Sequence, residues 1–355
     1  MANWERARHP HRKKWGAEAP RSEATEALFH LNRRRELGKE LSLAREEFGI
    51  GELLTSPVRE TVTAGAPPPG EGVEECWMDF DGARMRYLRA GSGPPLLLLH
   101  GLMGYSFSWR FAIPALAPGR TCYAPDLLGA GFSDRPKMID HSMRATALRV
   151  VRFAENLGLD SLDLLGTSRG GAVAMCVAAE CLGQGRPRIR SLTLVAPVNP
   201  YSPHGRRMAP WCGSPFGCLI VRAVLERFPW LYPYWHGRMF ADPNRIPADS
   251  LEGYKAPLAI PGLFEHALSI VKTWSADLRE LEALLPKLSL VPTLLMWGTD
   301  DPAVYYSSME RLGRYFPAAE RVVFPGVGHL PYEECAQEFN RALIDFLKKG
   351  SGIRG

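Results

Sequence analysis

The chain has 355 residues, 46% hydrophobic and 23% charged, ordinary values for a soluble globular protein and enough for one large domain or two modest ones. Its formal charge is +5, from 43 basic and 38 acidic residues with no long Lys/Arg block, so a nucleic-acid partner is not expected. No run of 18 apolar residues occurs, so no membrane span is expected either.

Residues 1 to about 72 are charge-rich. The stretch Met1–Trp15 is polar and basic and lacks the apolar core of a secretory signal, while Glu18, Glu23 and Glu26 argue against an organelle transit peptide. From Arg21 to Phe48 a helix is expected, with Leu37, Leu41, Ala44 and Phe48 forming a narrow apolar stripe beside Arg33, Arg34 and Arg35. Such an extension is expected to pack on the main domain or on an unknown partner. Ala64–Gly72, with Pro67, Pro68, Pro69 and Gly70 together, reads as a linker.

From about 74 to 198, short apolar runs alternate with helical patterns. Cys76–Phe80 and Arg84–Ala90 form a predicted hairpin turned at Asp81-Gly82. Leu96–Leu99 is apolar throughout, as a strand buried on both faces requires, and Thr121–Ala124, Leu162–Leu165 and Leu192–Ala196 are similar. Helices are expected over Ser108–Leu116, Ser142–Leu157 and Arg169–Cys181. This order implies a mainly parallel sheet covered by helices.

The alternation stops near Pro197. Residues 199–288 hold no convincing strand, are rich in Pro and aromatics, and show helical patches at Leu219–Phe228 and Leu263–Thr273. It then resumes with a strand at Thr293–Trp297, a helix at Val304–Phe316, a strand at Arg321–Phe324 and a closing helix at Glu333–Lys349. A helical insert between two halves of one sheet accounts for this pattern. The expected organisation is an extension over 1–72, a core over 73–198 and 289–350, and a helical cap over 199–288.

The chemistry centres on Gly166-Thr167-Ser168-Arg169-Gly170, which follows a predicted strand and opens a predicted helix. There a serine sits on a sharp turn with its Oγ exposed, and the small residues two positions to either side let neighbouring chain pass. Serine needs a base, and the base an orienting acid. Candidates follow in order: Asp300 and Asp301 directly after one strand, then His329, preceded by Gly326 and Gly328, after the next. Asp300 and Asp301 point to different sides of a turn, so only one is expected to reach His329. An oxyanion hole needs two fixed N–H donors, expected from Arg169 and from Leu102 in the loop after an early strand. His100, at the start of that loop, is expected to brace it rather than act as base. The Arg169 side chain is open between binding a carboxylate and facing solvent or a cap acid.

These residues resemble the alpha/beta-hydrolase superfamily, in its helical-cap branch with a serine nucleophile. The resemblance covers about residues 76–349. It rests on His100-Gly101, Asp126-Leu-Leu-Gly-Ala-Gly-Phe-Ser133, Gly166–Gly171, Gly298–Asp301 and Gly328-His329-Leu-Pro-Tyr-Glu. It implies a mostly parallel eight-stranded sheet with a cap inserted after the sixth strand. The family pattern W-G-x-x-D falls on Asp301, and Asp126 with Ser133 look like a loop-shaping element. Haloalkane dehalogenases and soluble epoxide hydrolases use an aspartate where this chain has Ser168, so both are set aside.

The expectation is therefore a hydrolase with the triad Ser168, Asp301 and His329, acting on a carboxylic ester or similar acyl bond of a fairly apolar small molecule. No metal or organic cofactor is expected, since no ligand spacing such as H-E-x-x-H occurs. Phe107, Trp109, Trp211 and Trp235 are the candidate pocket residues, although most aromatics of the insert are expected simply to pack it onto the core. A carbon–carbon bond hydrolase on the same triad and a non-catalytic scaffold remain alternatives. Seven cysteines, an odd number with no C-x-x-C pair, suggest a reduced, cytoplasmic setting.

Overall fold

The computed structural model describes residues 65–80, 82–182, 186–202, 211–227 and 231–350. The helix expected over Arg21–Phe48 lies outside them, as does Asp81 of the predicted turn. All described residues belong to one compact unit.

Eight strands form one sheet in the order β1-β2-β4-β3-β5-β6-β7-β8. They are β1 (Val73–Phe80), β2 (Ala83–Ala90), β3 (Pro95–Leu99), β4 (Thr121–Pro125), β5 (Ser161–Thr167), β6 (Arg188–Val195), β7 (Thr293–Gly298) and β8 (Glu320–Phe324). The pairs β1/β2 and β2/β4 are antiparallel and all others parallel. In β3 the alternation splits Leu97 and Leu99 into one core and Leu96 and Leu98 into the other, so each face of the sheet carries its own apolar layer. Burying each such leucine contributes roughly 1.5–3 kcal/mol.

The helices are α1 (Ile113–Leu116), α2 (Met143–Asn156), α3 (Arg169–Glu180), α4 (Pro215–Arg227), α5 (Leu231–Gly237), α6 (Ser250–Lys255), α7 (Leu263–Leu284), α8 (Ser308–Gly313), α9 (Pro331–Glu334) and α10 (Ala336–Gly350). Ser142 caps α2, its Oγ accepting from Ala145 N at 3.2 Å. In α10, Phe339, Leu343, Phe346 and Leu347 recur at helical spacing and fill one apolar layer. Helices α4 to α7 form the insert between β6 and β7. Among the described residues, no helix is long and apolar enough to cross a membrane.

Three predicted helices differ. Ser108–Leu116 is a 3-10 turn, Ser106–Trp109, followed by the short α1, because Pro114 restarts the helix within its first turn. Val304–Phe316 shrinks to α8, because Asp301 Oδ1 holds the N–H groups of Ala303 and Val304, both at 2.8 Å, in a side-chain turn. The closing helix breaks at Cys335, whose φ of −140° and ψ of 55° separate α9 from α10.

The strand order reverses direction at β3: β4 lies on one side and β5 on the other. In open α/β sheets, the carboxyl ends of strands at such a switch point leave a crevice for ligands. The segments leaving β3 and β5 are the two that carry Leu102 and Ser168.

Candidate active site

Ser168 stands between β5 and α3 with φ 52° and ψ −123°, a conformation that costs a non-glycine residue about 1–3 kcal/mol. Its backbone is held from several sides. Its N–H donates to Val195 O at 2.9 Å, and its carbonyl accepts from Gly171 N at 3.0 Å and Val198 N at 2.9 Å. A methyl group at Gly166 would run into the Gly170 carbonyl, and one at Gly170 into the carbonyls of Leu99 and His100. The two glycines of the motif thus answer to close passage of chain on both sides of the serine. Met103, also at positive φ, lines the cavity on which Ser168 opens, which fits strain gathering at a functional site.

His329 lies in the loop after β8. Its Nδ1 is 2.7 Å from Asp301 Oδ2, and the other carboxylate oxygen accepts the N–H groups of Ala303 and Val304. Asp301 is 4% exposed, so these charge-assisted bonds act away from water. Asp300 is exposed, with its side chain against Thr299 Oγ1 at 3.2 Å, so of the two candidates it is Asp301 that meets His329. The His329 backbone N–H donates to Met239 O at 2.7 Å, in the insert. Glu334 braces the same loop, accepting from Gly328 N (2.8 Å), Ala241 N (3.1 Å) and Asp242 N (3.2 Å).

The loop after β3 is fixed by His100. Its Nδ1 is 2.8 Å from Gly101 O and its Nε2 accepts from Leu127 N at 3.0 Å, a pattern that selects the neutral Nδ1–H tautomer. Burial pushes its pKa down, in keeping with a brace rather than a base. Asp126 accepts from Ser106 N (2.8 Å), Phe132 N (3.0 Å) and Arg86 Nη1 (3.2 Å), knitting this region together. Arg169 opens α3, where first-turn N–H groups have no helical partner. Its side chain neither faces solvent nor enters the crevice: it is buried and donates to His141 O (2.6 Å) and Thr146 Oγ1 (3.3 Å). Burial lowers its pKa to about 10.

Ser168 and His329 open together on a cavity with two lobes, of about 410 Å³ and about 340 Å³, that share Leu102, Cys212, Met239 and Val271. Of the four aromatic pocket candidates, Trp235 lines the larger lobe and is 53% exposed. The other three do not line either lobe. Phe107 stacks on Tyr105 at 5.6 Å and faces a separate cavity beside Pro67–Pro69. Trp109 is wholly buried in the core, 5.0 Å from Tyr332. Trp211 is 44% exposed, and its neighbour Cys212 forms the wall instead.

Sequence reasoning missed Phe264, Ala267, Leu268 and Val271, which line the larger lobe from α7. Their i, i+3, i+4, i+7 spacing is a helical face and was available as a signal. Among the described residues, no cluster of three or more His, Cys, Asp or Glu could hold a metal ion.

A family model described as alpha/beta hydrolase fold matches residues 94–336. The chain is 28% identical over 285 residues to Haloalkane dehalogenase 2 of Mycobacterium tuberculosis (strain ATCC 25618 / H37Rv), covering 77% of this chain and 94% of that protein. It is 26% identical over 276 residues to 2-hydroxymuconate semialdehyde hydrolase of Pseudomonas sp. (strain CF600), covering 75% and 91% respectively. The solved structure of epoxide hydrolase CorEH superposes with a TM-score of 0.66 at 22% identity, covering 78% of this chain and 99% of that one, a likeness of fold.

Proposed function

Because the chain belongs to the alpha/beta hydrolase fold family and is an enzyme of the hydrolase class, we propose that it cleaves a carboxylic ester or similar acyl bond of a fairly apolar small molecule through a serine acyl-enzyme. The observation that carries this reading is the 2.7 Å contact between His329 Nδ1 and Asp301 Oδ2, with the strained Ser168 opening on the same cavity.

Ser168 Oγ attacks the acyl carbon and its proton passes to His329 Nε2. Asp301 holds the ring in the tautomer that leaves Nε2 as acceptor and stabilises the imidazolium that forms. The backbone N–H groups of Leu102 and Arg169 hold the oxyanion, and one such donor contributes roughly 3 kcal/mol in related chemistry. His329 returns the proton to the leaving alcohol. Water then attacks the acyl-enzyme with His329 as base, releasing the acid and Ser168.

The relatives carry different activities in their names, and the nucleophile separates them. Displacement of halide by a serine would leave an ether, which water does not readily cleave, whereas acyl transfer to serine leaves an ester, which it does. Ser168 therefore favours acyl chemistry over that of a dehalogenase. Similarity to the semialdehyde hydrolase supports a second reading, carbon–carbon bond hydrolysis on the same triad. That reading calls for a basic group free to meet substrate. Arg222 lines the larger lobe but pairs with Glu265 at 3.2 Å, which favours the ester reading. All seven cysteines are free thiols, which suits a reducing, cytoplasmic setting.

A fluorophosphonate probe tests the proposal, applied to the wild type and to Ser168→Ala, followed by a chain-length series of nitrophenyl esters. Labelling lost in the variant, with ester turnover, is expected. A folded wild type that neither labels nor turns over would sink it in favour of a non-catalytic scaffold.

A further inference from the structure

Insert and core meet at a pair of histidines. His266, on α7, turns its Nδ1 toward Nε2 of His141, in the core just before α2, at 3.4 Å. Both rings are buried. Gly129 makes the room, since a methyl group there would collide with His266 Nδ1. In this geometry the two facing nitrogens share one proton: one carries N–H and the other accepts. A proton on each would set two N–H groups head to head. The surroundings are cationic. His141 is faced by Arg149 and Arg169, opposed by Asp140, and His266 by Arg169, His100 and Arg135. Asp277, one face of α7 further on, meets Arg169 and takes the Met143 N–H.

The pair sits where it can act on the cavity. His266 directly precedes Ala267 and Leu268, which wall the larger lobe with Phe264 and Val271. The His141 carbonyl takes Arg169 Nη2 at 2.6 Å, and Arg169 follows Ser168. Along α7 the anchoring is uneven. Its second half buries Trp274, Leu278 and Leu281 in the core and is tied to α2 through Asp277. Its first half starts from Gly262, whose φ of 96° lies where glycine turns freely, and its one polar tie to the core is the histidine contact.

We propose that His141 and His266 form a pH-sensitive latch, shut while both rings are neutral and released on acidification, when the first half of α7 lifts from the core and the larger lobe widens to admit bulkier substrates. In the open form each ring meets water and takes up a proton near pH 6.5. In the shut form burial, and then the neighbouring cations, hold His141 down to about 4 and His266 to about 2. The shut form is thus fully favoured above about pH 6.5. Below it the open form gains by up to about tenfold per pH unit for each histidine, with the His141 share levelling off below about pH 4.

Two measurements between pH 7 and 5 test the latch, on the wild type, His141→Gln and His266→Gln, whose amides hydrogen-bond without titrating. The first is amide hydrogen exchange, corrected for its intrinsic pH dependence. In the wild type, residues 263–271 are expected to open more readily than β5 at every pH, and to exchange about tenfold faster or more at pH 5 than at pH 7. Each variant is expected to lose much of that acceleration. The second, which rests on Ser168 being the nucleophile, is the ratio of kcat/KM for a bulky and a small acyl ester of one alcohol. The ratio cancels the titration of His329, and is expected to rise about tenfold on acidification in the wild type and less in each variant. Exchange in 263–271 that ignores pH, or that quickens only together with β5, would overturn the latch. So would a ratio that stays flat in the wild type or rises equally in the variants. An unlabelled Ser168 with no ester turnover would overturn the serine hydrolase reading alone, and the exchange result would then decide the latch.

Discussion

The backbone N–H of His329 donates to the carbonyl of Met239 at 2.7 Å. The proposed base therefore hangs by its main chain from the insert and by its ring from Asp301, after β7. A methyl group at Gly328 would collide with the Met239 carbonyl, so the contact needs the glycine before the histidine. Glu334 completes the tie by taking three N–H groups from the two facing segments.

Glu334→Ala removes that carboxylate and strands Gly328, Ala241 and Asp242 N–H groups in a buried site. Stability is expected to fall by about 2–4 kcal/mol, with kcat lowered more than KM is raised. Denaturant unfolding and ester kinetics on the same preparation check both. An unchanged kcat would mean that the brace does not position His329.

Asp301→Asn replaces an acceptor-only group with an amide that cannot take all three of its hydrogen bonds. By analogy with triads in general, kcat is expected to fall by about 10⁴. Asp300→Asn, on the exposed side of the turn, is expected to stay within about twofold. Comparable losses in both would show the wrong acid to have been chosen.

Stability is expected to weaken on acidification because of a buried histidine pair. His141 and His266 meet edge to face, with ring centroids 4.3 Å apart. Burial, and then neighbouring cations such as Arg149 and Arg169, lower His141 to about 4; burial, and then His141 and Arg169, lower His266 to about 2. Both are neutral when folded, whereas in the unfolded chain each takes up a proton near pH 6.5. Stability is thus fully present above about pH 6.5 and falls as pH drops, by up to about 1.4 kcal/mol per pH unit per histidine. The His141 contribution levels off below about pH 4. Urea midpoints between pH 7 and 5 should decline, and His141→Gln should flatten the decline.

Trp235 and Trp109 separate pocket from core. Trp235→Ala, half-exposed on the larger lobe, is expected to raise KM for long-chain esters several-fold while changing stability by about 0.5 kcal/mol or less. Trp109→Ala is expected to cost about 3–5 kcal/mol with chain-length preference unchanged. Reversed outcomes in thermal melts and kinetics would exchange the two roles.

The sheet was legible because strands buried on both faces must be apolar throughout, as Leu96–Leu99 is. The elbow was legible because close passage of chain admits only glycine at Gly166 and Gly170, and that steric demand is written in the spacing. The pocket was not. Phe107 and Trp109 are two residues apart in a 3-10 turn, and one faces a side cavity while the other enters the core; no periodicity distinguishes them. The Asp301 turn also shortened a predicted helix, because a side chain captured N–H groups that the pattern assigned to the helix. Met239 was invisible for a simpler reason: its contribution is a main-chain carbonyl, which no side chain advertises.

The bond between His329 and Met239 sets limits on how this enzyme can diversify. A module that only shaped the substrate pocket could be exchanged between relatives, or rebuilt in the laboratory, without touching the reaction. On the proposed reading, the segment Met239–Asp242 serves both, since Met239 lines the cavity and the segment holds the loop of the proposed base. A chimaera that imports a foreign insert must bring a matching carbonyl at Met239 and keep Glu334 as its receiver. The unit of inheritance for new specificity is thus the insert together with the histidine loop, although nearly 90 residues of sequence separate Met239 from His329.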